Sequence, residues 1–183
     1  MIVRRIVATV AGVVIALAAG MSVRGQTDPF AGTWKLNVAK SKYNAGTPPK
    51  SEVRTYEASF DSAQGKQGKP TQQAHGEPFA ARSEGEKLTV HGVAVDGSPV
   101  EWGYAVRFDG KYYPITGAGP GGADAIAVRW INPRKVEATL AKGGKAVETA
   151  SRVVSEDGKT MTATARRVGA SGPPLFVIVY DKQ

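Results

Sequence analysis

The chain has 183 residues, of which 42% are hydrophobic and 22% charged, a composition typical of one globular domain rather than of a disordered chain. It carries a formal net charge of +8. It contains no cysteine, which excludes disulfides, thiolate metal sites, cysteine nucleophiles and a lipid-modified cysteine.

Residues 1–25 have the three parts of a secretory signal peptide. A short basic segment with Arg4 and Arg5 precedes residues 6–19, an unbroken run of apolar and small residues. This run fits the ~7–15 residues of a signal-peptide hydrophobic region and is shorter than the ~20 that cross a bilayer. Small-x-small sequences at 23–25 and 16–18 are candidate cleavage sites, and we favour cleavage after Gly25. We expect a signal helix and an exported protein, periplasmic or secreted, with an uncleaved anchor as the alternative.

Without residues 1–25 the chain has 21 basic and 16 acidic residues, a net charge of about +5. Such a charge is compatible with anionic partners, for example envelope polymers or lipid headgroups. No basic cluster interleaved with aromatic residues is present, so nucleic acid is not an expected partner. We expect no stable membrane span once the signal peptide is cleaved.

Residues 26–183 consist of short β-rich segments separated by turn dipeptides. Asp-Gly pairs and the Gly-Gly pair at 143–144 suit tight hairpins, because glycine adopts positive φ freely and aspartate tolerates it. Turns that recur every ~8–12 residues indicate an antiparallel meander. The candidate strands are residues 33–38, 51–60, 87–95, 100–108, 111–116, 125–131, 135–141, 145–155, 160–168 and 175–182.

These segments predict an all-β domain, an antiparallel up-and-down barrel of about 8–10 strands. Closure into a barrel removes the unpaired edges that an open meander would expose. Residues 64–86 are polar and predict a long flexible loop, and residues 117–122 (GAGPGG) predict a turn. Residues 39–43 predict one helical turn. A barrel of this size either holds a small ligand or is filled with side chains.

Candidate ligand contacts are aromatic and basic side chains on the predicted strands. Trp102 and Tyr104 are two residues apart and therefore share a face with Val106 and Phe108. Tyr56 and Tyr180 are further candidates for the wall of a pocket. Trp34 is expected to plug one end of the barrel. An inward arginine among Arg54, Arg129 and Arg152 would be suited to hold an anionic group, and we take Arg129 as the candidate.

The sequence contains none of the motifs that mark a catalytic or metal site. A Gly-x-Ser-x-Gly elbow and a His-Glu-x-x-His motif are both missing, and the acidic residues are dispersed. His75 and His91 have no clustered ligands around them, so we predict no metal and no cofactor, with a haem ligand the remaining reading for His91. We therefore expect no enzymatic activity.

Several segments resemble the calycin superfamily of lipocalins and fatty-acid-binding proteins. The sequence FAGTWK at 30–35 is similar to the Gly-x-Trp motif of their first strand, and the end of the chain is similar to the closing strand of fatty-acid-binding proteins, with Tyr180 at the tyrosine of their Arg-x-Tyr motif and Ile178 at its arginine. Segments 32–37, 40–43, 109–117 and 179–183 resemble a group of bacterial exported lipocalin-like proteins. The resemblance implies a barrel and allows ligand binding.

Two functions follow as expectations. The first is an exported, non-catalytic barrel that binds a small apolar or amphipathic ligand through Tyr56, Trp102, Tyr104, Arg129 and Tyr180. The alternative is an envelope or extracellular scaffold that presents residues 64–86 and 117–122 to a macromolecular partner.

Overall fold

Ten antiparallel strands form a closed barrel in the computed structural model, which describes residues 28–59 and 84–183. The predicted signal helix at 1–25 lies outside the described residues, as does most of the predicted loop at 64–86. The strands are β1 (Gly32–Tyr43), β2 (Ser51–Ser59), β3 (Gly85–Val93), β4 (Pro99–Arg107), β5 (Asp109–Gly117), β6 (Ala125–Asn132), β7 (Lys135–Lys142), β8 (Lys145–Val154), β9 (Thr160–Arg167) and β10 (Phe176–Lys182). A short 3-10 turn, Pro120–Gly122, lies between β5 and β6.

Each strand pairs with its neighbours in sequence, and β10 pairs with β1 to close the barrel. The prediction of an all-β, up-and-down barrel is therefore confirmed. Every strand is hydrogen-bonded on both sides, so the sheet has no edge strand. Within residues 28–59 and 84–183, no helix has the length and apolar character required to cross a bilayer.

The Gly-Gly turn shows how the sequence selects these hairpins. Lys142 and Lys145 form the last pair of β7 and β8, which leaves Gly143 and Gly144 as a two-residue loop. Their φ angles are +55° and +75°, the positive values that a type I′ turn needs at both central positions.

The predicted helical turn at residues 39–43 is wrong, because β1 continues to Tyr43 as a strand. The pairing of β1 with β10 shifts between Asn37 and Lys42, which marks a β-bulge. Ser41 stabilises the bulge through its hydroxyl, which donates to the Asn37 carbonyl at 2.7 Å and accepts from the Val179 amide at 2.9 Å. A side chain thus satisfies backbone groups that the ladder leaves unpaired.

The barrel has two different ends. At the closed end, Phe30 and Trp34 are fully buried, and the Trp34 indole donates to the Phe30 carbonyl at 2.8 Å. Trp34 therefore plugs this end, as its position at the start of the first strand predicted. The open end is formed by the connections at 44–50, 94–98, 118–124, 143–144 and 168–175.

Candidate functional site

A cavity of about 400 Å³ lies inside the barrel, between the Phe30 and Trp34 plug and the open end. Its room comes from Ala138, Ala150 and Ala163, which lie on the adjacent strands β7, β8 and β9. Ala138 pairs with Ala150, so two of the smallest side chains stand side by side on the inner face. Larger apolar side chains complete the wall: Leu88, Val100, Ile126, Leu140, Phe176 and Ile178.

Two arginine–glutamate pairs lie in the interior of the barrel. The deeper pair joins Arg152 on β8 to Glu86 on β3, and these residues are 5% and 3% exposed. Glu86 also accepts a hydrogen bond from the Tyr104 hydroxyl at 2.8 Å. The guanidinium of Arg152 lies 4.6 Å from the centre of the Tyr56 ring, close enough for a cation–π contact.

Arg152 stays charged and Tyr104 stays neutral at neutral pH. Burial acts to lower the pKa of Arg152, but the nearby Glu86 and two tyrosines outweigh it and raise that pKa well above its ordinary value. Burial raises the pKa of Tyr104 well above its ordinary value, so its hydroxyl remains a donor. The cluster therefore places a guanidinium and a neutral hydroxyl around the Glu86 side chain.

The second pair joins Arg54 to Glu52, both on β2, with Arg54 Nε 2.7 Å from Glu52 Oε1. The Tyr180 hydroxyl donates to the same oxygen at 2.6 Å. Arg54 lies between two rings, 4.7 Å from the centre of Tyr180 and 5.5 Å from that of Trp102. Burial acts to raise the pKa of Glu52, but the charge of Arg54 and the two hydrogen bonds lower it below the ordinary value.

Four buried side-chain polar atoms have no hydrogen-bond partner among the described residues. They are the hydroxyls of Tyr43 and Tyr56, Oε2 of Glu86 and Nη1 of Arg152. Buried polar groups without partners are rare in folded proteins and costly. Tyr43, Tyr56 and Arg152 all line the cavity, so three of these four groups belong to residues that a molecule in the cavity would touch.

Glu148 adds a carboxylate nearer the open end. It lies four residues before Arg152 on β8, which is roughly 13 Å at ~3.3 Å per residue. Its side chain lines the cavity and forms no ion pair or hydrogen bond within the described part of the chain. Burial raises its pKa above the ordinary value. The cavity thus has a cation with a free donor deep inside and an unpaired carboxylate near its mouth.

Four of the five predicted contact residues lie inside the barrel. Tyr56, Trp102, Tyr104 and Tyr180 are at most 9% exposed, and the first three line the cavity. Tyr180 packs beside it and holds Glu52. Trp102, Tyr104 and Val106 share the inner face, as their spacing predicted.

The expectation that Arg129 points into the barrel is wrong, because the structure places this residue on the outer face of β6. Val128 is fully buried on the inner face, so alternation directs Arg129 outward. There it lines a separate, polar surface groove with Tyr112 and Glu137. The inward arginines are Arg54 and Arg152, the two other members of the predicted set.

The sequence interpretation missed Glu52 and Glu86. Glu86 was assigned to the end of the loop at 64–86, whereas β3 begins at Gly85. Its alternation with Leu88 and Val90 was the available signal, since these three residues share the inner face. Glutamate at the end of a polar segment predicts a solvated loop. The cost of burying its charge is offset by pairing with Arg152, which lies far along the chain.

Within the described ranges, no group of three or more histidine, aspartate or glutamate side chains is placed to bind a metal ion. His91 lies on the outer face of β3 with its side chain 65% exposed, 3.7 Å from Glu101. No family model matches this chain, and no curated protein shows significant similarity to it.

Proposed function

We propose that this protein is an exported, non-catalytic barrel that binds one small amphipathic molecule in its interior cavity. The observation that carries the proposal is an apolar cavity of about 400 Å³ whose lining includes buried donors without partners. Ligand pockets typically have ~300–1,000 Å³, mostly apolar walls and a few polar groups that orient the ligand. The cavity has all three properties.

The polar groups favour one orientation of the ligand. Nη1 of Arg152 and the Tyr56 hydroxyl lie in the same region, because the Arg152 guanidinium stacks on the Tyr56 ring at 4.6 Å. Together they offer hydrogen-bond donors to a carbonyl, carboxylate, sulfonate or phosphate oxygen. The apolar part of the ligand would then lie along Ala138, Ala150 and Ile178 towards the open end.

The charge of Arg152 is already compensated by Glu86. A neutral acceptor therefore satisfies the free donors as well as an anion does, and an anion binds without having to displace Glu86. An arginine without a carboxylate partner would instead favour a ligand with a full negative charge. We infer that the cavity selects ligands by apolar shape and one acceptor group.

Three further features support the proposal. Residues 1–25 have the composition of a signal peptide, and the segments at 30–35 and 179–183 resemble those of calycin barrels, many of which carry ligands. The charged interior groups are paired with each other or, as Glu148, placed near the open end, rather than grouped around a nucleophile. A binding role needs no reacting group.

Fluorescence titration tests the proposal with anilinonaphthalene sulfonate, an aromatic probe that carries one sulfonate acceptor. We expect saturable binding to the folded protein. Ala138→Phe fills the cavity and should weaken binding at least about tenfold, the effect of ~1.4 kcal/mol. Tyr56→Phe removes a single donor hydroxyl and should weaken binding about threefold to tenfold, because one hydrogen bond is worth ~0.5–1.5 kcal/mol.

The matched controls change the outer face of the same barrel. Ala105→Phe places the same ring on the exposed side of β4, and Arg129→Met removes the outward arginine. Both should bind the probe as the unmodified protein does. Probe binding that Ala138→Phe leaves intact would place the probe outside the cavity and contradict the proposal.

A further inference from the structure

The open end of the barrel carries a concentrated positive charge. Its basic side chains come from the connections and the adjoining strand residues: Lys42, Lys50, Lys142, Lys145, Arg166 and Arg167. All six are exposed, and none forms an ion pair within residues 28–59 and 84–183. We call this set the basic rim.

Few acidic groups oppose the basic rim. Asp96 accepts hydrogen bonds from the Ser98 amide and hydroxyl, at 2.9 and 2.6 Å, and Asp124 accepts one from the Gly143 amide at 2.7 Å. Both carboxylates thus accept hydrogen bonds from turn residues. Glu52 is paired with Arg54, and Glu148 is half-buried in the cavity. Glu101, 72% exposed near the start of β4, adds one carboxylate beside His91. The six basic side chains of the rim still outnumber the exposed carboxylates Asp96, Asp124 and Glu101 at this end.

The closed end has a different charge pattern. Several of its basic residues pair with neighbouring acids, as in Arg107–Glu84 at 2.6 Å and Arg134–Glu156 at 3.3 Å. Lys111 lies 3.8 Å from Asp109 in the same way. The positive excess of the described surface is consequently directional, and it coincides with the mouth of the cavity.

Exposed valines lie among the cations of the basic rim. Val95, Val168, Val147 and Val93 are 54%, 48%, 38% and 36% exposed, and all four lie at or next to open-end connections. Val95 also lines the cavity, together with Ala45 and Pro49, so the apolar surface continues from the rim into the interior. We call the four residues the valine ring.

We propose that the open end docks on an anionic lipid bilayer, with the basic rim against the headgroups and the valine ring at the headgroup–acyl boundary. Lysine and arginine side chains that face an anionic membrane surface are attracted to it, and exposed apolar side chains add to the binding by partial insertion. The mouth of the cavity then faces the bilayer, which gives an amphipathic ligand a path between lipid and barrel that avoids water. Docking itself does not depend on ligand binding.

Co-sedimentation with vesicles tests the docking. The protein, expressed from the full chain, is mixed with vesicles of phosphatidylcholine alone or of equal parts phosphatidylcholine and phosphatidylglycerol. We expect at least about tenfold stronger binding to the anionic vesicles at ~0.1 M salt, and most of this difference should disappear at ~1 M salt, where the Debye length falls to ~3 Å.

Two charge-reversal variants with the same net charge locate the contact. Lys50→Glu/Lys145→Glu/Arg167→Glu alters the basic rim, and Lys111→Glu/Arg134→Glu/Lys159→Glu alters the closed end. The first variant should lose binding to anionic vesicles about tenfold or more, while the second should retain most of it. Both carry the same residues 1–25, so any contribution of that segment cancels in the comparison.

The valine ring has its own pair of variants. Val95→Asp should weaken vesicle binding relative to the unmodified protein. Ile131→Asp, which changes a residue 48% exposed at the opposite end, should not. Thermal unfolding followed by circular dichroism verifies that each variant is folded.

Equal loss of binding in the two triple variants, or equal binding to neutral and anionic vesicles, would overturn the proposal. So would retention on a soluble polyanion such as heparin without binding to anionic vesicles, since this would assign the rim to a polymer. Titration with anilinonaphthalene sulfonate in the absence of vesicles keeps a failure of docking distinct from a failure of cavity binding.

Discussion

Arg152 and Glu86 form a buried ion pair in which each partner keeps a polar atom free. Both side chains are more than nine-tenths buried, and each retains one atom without a partner, Nη1 and Oε2 respectively. A buried ion pair contributes little net stability, but the loss of one partner leaves the other charge uncompensated. The pair therefore acts mainly as a fixed polar group within an apolar interior.

This leads to a prediction for the deeper pair. Glu86→Gln should destabilise the protein by roughly 3–5 kcal/mol, because Arg152 then remains charged and buried without a counterion. The double variant Glu86→Gln/Arg152→Met should recover much of that loss. Urea denaturation measures both, and a double variant that is less stable than Glu86→Gln would contradict the interpretation.

The second pair predicts how stability depends on pH. Burial alone would raise the pKa of Glu52, but Arg54 and Tyr180 lower it below its ordinary value near 4.5. Ionised Glu52 therefore stabilises the folded state above the unfolded pKa, and this contribution is lost as the pH falls through the folded pKa. The urea midpoint should decrease over that acidic range.

Glu52→Gln is the variant for this effect, and Glu101→Gln, with its side chain 72% exposed on the outer face, is the control. The stability difference between the unmodified protein and Glu52→Gln should shrink as the pH is lowered, whereas Glu101→Gln should follow the unmodified protein. A constant difference for Glu52→Gln at every pH would show that its carboxylate does not control the transition.

At the scale of strands and turns, the sequence was most informative. Alternation and Asp-Gly or Gly-Gly pairs located nine of the ten strands to within two residues, because turn chemistry and the two-residue period are local properties, while β1 extends five residues beyond its predicted end. The β1 bulge was missed because it depends on Ser41 contacting β10, a partner far along the chain. The prediction that Arg129 points inward was wrong for a related reason, since the face on which it lies depends on the register of β6.

Gly117 offers a test at this scale. Its φ is +76°, and a Cβ there would lie 2.4 Å from the Glu101 carbonyl oxygen, whereas Gly143, with φ +55°, has open space around it. Gly143→Ala should cost only the left-handed strain of ~1–2 kcal/mol. Gly117→Ala should cost that strain plus about 1–3 kcal/mol for backbone displacement.

Thermal unfolding of the two alanine variants compares these costs directly. Equal losses of stability would show that β4 and β5 can separate at Gly117 without penalty, contrary to the close packing of the two strands.

At the scale of the whole molecule, the two ends of the barrel differ in structure and in surface charge. One end is plugged by Phe30 and Trp34, and several of its basic side chains are paired with acids. The other end opens to a cavity bordered by the basic rim and the valine ring. Composition revealed the positive charge but not its position, because the concentration at one end arises only when distant connections meet in the closed barrel.

Native mass spectrometry shows directly whether the cavity holds a ligand. The protein is expressed from the full chain, purified without denaturant and measured under native and denaturing conditions. We expect a reproducible additional mass that is lost on denaturation and is absent or reduced in Ala138→Phe but retained in Ala105→Phe. A mass equal to that of the polypeptide alone, together with no adduct after addition of anilinonaphthalene sulfonate, would contradict it.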